Sequence, residues 1–113
     1  MAKYERRLHG DFDQILRIAN EAIMQSMSAT LEDSSDANFG DVRVPVRVYE
    51  RYSWTGGNRV SLNLTLVGES DNLFVSAISS GGSQAMFFKI NTWGEASFLE
   101  TLARSLDRFA GSY

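Results

Sequence analysis

Apolar and polar residues alternate most clearly in two neighbouring stretches of the chain, at residues 42–48 and 60–66. Every second position is apolar in both, at Val42, Val44, Val46 and Val48 and then at Val60, Leu62, Leu64 and Leu66. A period of two is typical of strands with one buried and one solvated face. Residues 55–58, centred on Gly56 and Gly57, predict a tight turn between the two stretches. The pattern therefore predicts a long antiparallel hairpin, and we expect both apolar sets on its helix-covered face.

Shorter patterns predict further strands around this hairpin. Residues 3–9 form a candidate edge strand because basic residues interrupt the apolar ones, and residues 30–34 form a candidate short strand. Turns are expected at 68–72 and 80–83. Strands at 73–79 and 84–90 carry apolar residues on both faces, which favours central positions or cover on both sides. The polar run 32–41 predicts a loop. Pro45 has no backbone donor, so we expect its strand to be an edge strand or bulged there.

Two helices are predicted, one near each end of the chain. Asp11 and Gln14 have the spacing of a capping box, and apolar residues recur behind them at helical intervals as far as residue 27. Thr92 and Glu95 repeat the capping-box spacing before the second helix, for which Gly111 is the expected stop. The apolar stripe of this second helix comprises Phe98, Leu99, Leu102, Leu106, Phe109 and Ala110.

The order strand, helix, strands, helix predicts an α+β fold. We expect an antiparallel meander sheet of five or six strands with two helices packed on one face. This element order resembles the helix-grip architecture of TATA-binding-protein-like and Bet v1-like domains, a resemblance that implies a fold and no activity. A length of 113 residues fits a single domain over residues 1–113.

Charge and composition narrow the classes of function. A net charge of −3 gives no overall attraction to nucleic acid or to an anionic membrane. Because the chain has no cysteine, it can form no disulfide, thiolate metal site or cysteine nucleophile. No apolar stretch has the length of a signal peptide core or a bilayer span, so we expect a cytoplasmic protein without a membrane partner.

Three segments of the sequence resemble those of a known family. Residues 29–36, residues 49–63 and residues 79–91 are similar to the corresponding parts of a family of short bacterial proteins of unknown function. The resemblance covers nearly the whole chain. It implies an uncharacterised family and carries no activity or catalytic residue with it.

The strongest candidate site is a set of arginines on the predicted hairpin. They recur every four residues on the first strand, with one more after the turn, and aromatic residues lie among them and at the hairpin end. Guanidinium groups bind phosphates and carboxylates bidentately, and aromatic rings stack on ligands. The alternative is a solvated sheet face whose arginines pair with neighbouring acids. These candidate ligand-binding or partner-binding residues are Arg43, Arg47, Tyr49, Arg51, Trp54 and Arg59.

A glycine- and serine-rich turn is the second candidate site. Successive backbone N–H groups of Ser80, Gly81, Gly82 and Ser83 could hold an anion. The lysine that ends a phosphate-binding loop is absent, and an ordinary hairpin turn explains the same composition.

Catalytic and metal sites have little support in the sequence. His9 is the only histidine, and no nucleophile elbow surrounds any serine. Glu32, Asp33, Asp36 and Asp41 cluster in sequence without the spacing of a calcium loop. We therefore expect no catalytic residue, no metal and no cofactor.

These observations favour a non-enzymatic binding or interaction module that self-associates as a homodimer. Tyr49, Tyr52 and Trp54 at one hairpin end have the aromatic character of an interface centre. One alternative is a small-ligand carrier with a groove between sheet and helix. The other is nucleic-acid or anion binding on an arginine-rich sheet face, against which the acidic net charge counts.

Overall fold

The computed structural model describes residues 2–25, 29–52, 59–81 and 99–109. Within these ranges the chain forms five strands and two helices. The elements are β1 (Ala2–His9), α1 (Phe12–Met24), β2 (Thr30–Phe39), β3 (Val42–Tyr52), β4 (Arg59–Glu69), β5 (Asn72–Gly81) and α2 (residues 99–109).

The strands form one antiparallel sheet in the order β1-β5-β4-β3-β2. Strands β2 to β5 follow one another as a meander, and β1 returns to pair with β5 at the far edge. This confirms the predicted α+β class and, among the described strands, the edge position of the first strand and the interior position of the strand at 73–79. The meander leaves β4 as the middle strand of the five.

Two-residue turns connect β2 to β3 and β4 to β5. Phe39 pairs with Val42 and Glu69 pairs with Asn72, so residues 40–41 and 70–71 lie outside these two ladders. Gly40 and Ser70 have φ angles of +59° and +56°. A left-handed residue is what a tight hairpin needs, and glycine adopts that conformation without a steric penalty.

Both helices pack on the same face of the sheet. Asp11 caps α1 by accepting a hydrogen bond from the backbone N–H of Gln14 at 2.9 Å, as the sequence predicts. Phe12 of α1 lies directly over Gly68 of β4, while Asp107 of α2 binds Tyr4 of β1. The core beneath the helices consists of Leu8, Phe12, Ile15, Ala19, Ala22, Ile23, Tyr49, Val60, Leu62, Leu64, Leu66, Leu73, Val75, Ala77, Leu99, Leu102 and Leu106.

The predicted loop at 32–41 is wrong over most of its length. Residues 30–39 form one strand, β2, which pairs along β3 from Thr30–Glu50 to Phe39–Val42. Every residue of β2 is exposed, because neither face of this edge strand is covered by a described element. A strand that buries no side chain has no need of apolar residues, so its polar composition resembles that of a loop.

The predicted facing of the β3 valines is also wrong. Arg47 pairs with Leu64 and Tyr49 with Leu62, whereas Val46 pairs with Thr65 and Val48 with Asn63. Directly paired residues share a face, so the odd-numbered residues of β3 lie on the helix side with the apolar residues of β4. The even-numbered valines lie on the opposite side, where they are half-buried.

Pro45 lies in an internal strand, contrary to the expectation of an edge or a bulge. Asp36 of β2 pairs with it on one side. On the other side the ladder between β3 and β4 is interrupted between the pairs Arg43–Gly68 and Val46–Thr65, and the register is the same before and after. The missing N–H of proline is thus accommodated by a local gap in the ladder.

Several predicted features lie outside the described residues. These are the end of the first helix at residue 27, Trp54, the turn residues Gly82 and Ser83, the strand at 84–90, and the capping box of Thr92 and Glu95.

Candidate interaction surface

The side of the sheet that faces away from α1 and α2 carries an apolar stripe, which we call the valine face. No helix among the described residues lies on it. Phe39 is 71 % exposed and Ile78 39 % exposed, and the other members are half-buried. The valine face comprises Phe39 of β2, Val42, Val44, Val46 and Val48 of β3, Val67 of β4, and Phe74 and Ile78 of β5.

A shallow cavity of about 500 Å³ lies at one end of the valine face. Arg7 and His9 of β1 border it, and Val42, Val67 and Phe74 line its floor. The guanidinium carbon of Arg7 lies 5.7 Å from the centroid of the Phe74 ring, within the range of a cation–π contact. A cationic and an aromatic side chain therefore close this end of the apolar stripe.

The arginine candidates are divided between the two sides of the sheet. Arg43, Arg47 and Arg51 are odd-numbered residues of β3 and lie on the helix side, whereas Arg59 pairs with Tyr52 on the valine side. The three arginines of β3 therefore share one side, as predicted, but Arg59 does not join them and the shared side is the one that the helices cover.

Two of the helix-side arginines have acidic partners in α1 and β2. Arg43 lies 3.1 Å from Asp13 and stacks 4.1 Å above the ring of Phe12. Arg47 lies 3.1 Å from Asp36 and donates hydrogen bonds to the backbone oxygens of Val46 and Ser35. These contacts hold α1 and the edge strand β2 against β3.

The remaining two arginines differ in their surroundings. Arg59 forms an ion pair with Glu50 at 2.8 Å and lies 4.0 Å from Glu32. Burial lowers the pKa of the Arg51 guanidinium from its ordinary value, although the group stays charged at neutral pH. The ion pairs of Arg43, Arg47 and Arg59 agree with the alternative given above, in which the arginines of the sheet pair with neighbouring acids.

Tyr49 is a core residue. Its ring is fully buried, and its hydroxyl donates a hydrogen bond to Oδ1 of Asn20 on α1 at 2.8 Å. Burial raises the pKa of Tyr49 above its usual value. This residue therefore links β3 to α1 and is not part of an exposed hairpin end. The side chain of Tyr52 lies outside the described part of the structure.

No sequence pattern predicts the polar cluster that lies between β1 and α2. The Tyr4 hydroxyl and the Arg6 guanidinium both donate to Oδ1 of Asp107, at 2.7 and 2.8 Å. Burial raises the pKa of Tyr4 well above its usual range, and the hydrogen bond to Asp107 raises it further. The partners are about a hundred residues apart in sequence, and no local pattern indicates such a pairing.

The serine- and glycine-rich candidate is described only at Ser80 and Gly81. Ser80 forms a hydroxyl pair with Ser61 of β4 at 3.1 Å. Gly81 has a φ of +112°, and a Cβ there would lie 2.6 Å from the backbone oxygen of Arg59. The close approach of β4 thus accounts for glycine at position 81.

The acidic and histidine candidates do not meet. The register of β2 places Asp33 beside Val48 and Asp36 beside Pro45, on opposite faces of the sheet. His9 lies across the sheet from both, at the end of β1. In the described ranges no three metal-binding side chains converge on one point.

Among the described residues, neither helix has the length and apolar character to cross a membrane.

Comparison with known proteins gives one assignment. No curated protein and no solved structure matches the chain. A family model does match, over residues 1–110, and its description is a family of unknown function. The chain therefore belongs to the family of unknown function DUF6054.

Proposed function

We propose that this chain is a single-domain, non-enzymatic interaction module that self-associates through the valine face. The observation that supports the proposal is the apolar stripe on the side of the sheet that no described helix covers. An exposed apolar patch bordered by polar residues is typical of an interaction site. A cytoplasmic, bacterial setting is part of the same proposal.

The side of the sheet that carries the valine face is large enough for a second copy of the chain. Five strands spaced about 4.8 Å apart, each about 10 residues long at about 3.3 Å per residue, cover on the order of 700 Å². A stable interface buries about 800 Å² per partner. Two sheets packed face to face at about 10 Å would form a sandwich of the kind that many β-proteins use as their core.

The two alternative functions have less support in the geometry. A small-ligand carrier needs space between sheet and helices, but the side chains there, such as Ile15, Leu64 and Leu102, are at most 1 % exposed. An anion site on the hairpin needs arginines on one face. Arg59 lies on the opposite face from the three arginines of β3. Arg43, Arg47 and Arg59 each have a carboxylate at 3.1 Å or less.

Sedimentation of the full chain at micromolar concentration tests the proposal. The wild type is expected to sediment at twice 12.6 kDa, and Val46→Asp is expected to sediment at 12.6 kDa with an unchanged circular dichroism spectrum. Arg104→Asp is the matched control, since it places the same charge on the exposed side of α2 and should leave the dimer intact. A monomeric wild type, or a dimer that Val46→Asp leaves unchanged, would contradict the proposal.

A further inference from the structure

We propose that the two copies pack around a two-fold axis parallel to β4, so that β1 of each copy faces β2 of the other. This inference rests on the self-association proposed above and adds the orientation and the residues that fix it. A rotation about the strand direction exchanges the two edges of the sheet. It keeps every residue at its own level along the strands.

One row of residues across the valine face has a basic residue at one end and an acidic residue at the other. The rotation places each end over the oppositely charged end of the partner's row. The register aligns Lys3, Ile78, Asn63, Val48 and Asp33 from one edge of the sheet to the other. Because β4 is the middle strand, Lys3 and Asp33 are equally far from the axis on opposite sides. Each Lys3 ammonium would then lie over the partner's Asp33 carboxylate.

The apolar residues match in the same arrangement. Ile78 of β5 would lie over Val48 of the partner's β3, because the two strands are neighbours of β4 on opposite sides. Phe74 would meet Val44 in the same way two rows along this face, since the pairs Arg43–Gly68 and Val46–Thr65 keep one register and bring Val44 level with Val67. Burial of these pairs supplies the affinity, at about 25 cal/mol per Å² of apolar surface before the costs of association.

The charges at the two edges favour this orientation over the other two-fold choice. On the valine side β1 carries Lys3, Arg7 and His9 against one acid, Glu5, whereas β2 carries Asp33 and no basic residue at any position. An axis perpendicular to the strands would place β1 over β1 and oppose like charges, which interfaces avoid. Lys3 lies 3.8 Å from Glu5 in an exposed pair, which competes only weakly.

Edge-to-edge pairing of β2 with a second β2 is disfavoured by the same acids. Glu32, Asp33 and Asp36 would bring six carboxylates onto two adjacent strands. The ladder to β3 is also irregular between Leu31 and Asp33. Acidic side chains and bulges are how natural sheets prevent association at a free edge.

Charge reversal of Lys3 and Asp33 tests the orientation by sedimentation equilibrium at low salt. Lys3→Glu alone and Asp33→Lys alone should each raise the dimer Kd about five- to tenfold, because the symmetric dimer contains two such pairs and reversal replaces attraction with repulsion. The double variant should return to within about threefold of the wild-type Kd. Arg17→Glu combined with Asp33→Lys is the control, because Arg17 is exposed on α1, and it should not restore the affinity.

The outcomes separate the orientation from self-association itself. A dimer that Val46→Asp dissociates, but whose Kd the double reversal fails to restore, would overturn the orientation and leave self-association standing. Tighter association of Lys3→Glu alone would indicate that β1 faces β1, which also overturns it. A wild type that is monomeric throughout would overturn both proposals. Lys3 and Asp33 lie on opposite edges of one sheet, so their side chains cannot pair within a single chain. A restored dimer Kd in the double variant can therefore come only from a contact between two chains.

Discussion

The two strands of the central hairpin carry nearly the same apolar alternation and end on opposite sides of the sheet. Val60, Leu62, Leu64 and Leu66 of β4 are at most 1 % exposed beneath the helices. The valines of β3 lie on the other side and stay half-exposed. On the helix side, β3 presents Pro45 and Tyr49 together with Arg43 and Arg47. Alternation therefore identifies a strand with two different faces, and pairing with the neighbour decides which face is inside.

The largest expected difference between the two faces is the response to a buried charge. Leu64→Asp should cost about 3–5 kcal/mol, because an unpaired carboxylate would lie in the core, and should unfold the domain or lower its Tm by more than about 10 °C. Val46→Asp should cost the monomer less than about 1 kcal/mol. Thermal unfolding followed by circular dichroism checks both. Similar large losses for the two variants would show that both faces are core.

A smaller difference is expected at adjacent positions of β4. Gly68→Ala would place a Cβ 2.3 Å from Cδ2 of Phe12, a buried ring that Arg43 holds from above. The variant should lose about 1–3 kcal/mol through overpacking. Val67→Ala on the valine face should lose less than about 1 kcal/mol in the monomer. Urea unfolding gives both values, and a stable Gly68→Ala variant would mean that α1 sits farther from β4.

The ion pairs on the helix side should contribute about 1 kcal/mol or less each. Arg47→Ala is expected to lose about 1 kcal/mol, because the side chain is only 19 % exposed and binds Asp36 and two backbone oxygens. Arg17→Ala is the matched control, because its pair with Glu21 is exposed on α1 and should be nearly neutral. Denaturant unfolding measures the difference. An unfolded Arg47→Ala variant would show that the Arg47 side chain is required for folding, which contradicts a contribution of about 1 kcal/mol.

The smallest expected effect is a loss of stability at alkaline pH. Burial raises the pKa of both Tyr4 and Tyr49 above the ordinary value of 10.0. The unfolded chain therefore releases these protons first, so the contribution of both phenols to stability is complete below pH 10 and declines as pH rises above it. Tyr4→Phe with Tyr49→Phe should flatten the decline in unfolding free energy between about pH 10 and pH 11. An equally steep decline in the double variant would assign it to other groups.

Sequence reasoning succeeded where one residue type sets one local structure. The Asp11 cap, the turn before Asn72 and the alternation in β3 and β4 all follow from short-range chemistry, and so does the α+β class. The sequence predicts only residues 30–34 of β2 as a strand, because an edge strand with no buried side chain leaves no apolar pattern. The Tyr4–Asp107 contact depends on packing between distant elements, which no local pattern specifies.

The facing of β3 could have been predicted from the hairpin itself. Six residues separate the paired residues Tyr52 and Arg59. With an even number of residues between two paired strands, each even-numbered residue of one strand pairs with an odd-numbered residue of the other. The even-numbered valines of β3 therefore cannot share a face with the even-numbered apolar residues of β4. The expected turn centred on Gly56 and Gly57 has the same parity. A shift of one residue would reverse every side chain, so the valine alternation shows its orientation only when it is combined with loop length.

Because the natural chain has no cysteine, single cysteines placed at Val46 and Leu64 report directly on the two faces. The measurement is the rate at which a small thiol reagent labels the native Val46→Cys and Leu64→Cys variants in dilute and in concentrated protein. Val46→Cys should label rapidly when dilute and more slowly as the dimer forms, whereas Leu64→Cys should be protected at every concentration. Equal protection of both cysteines in dilute protein would contradict an uncovered valine face.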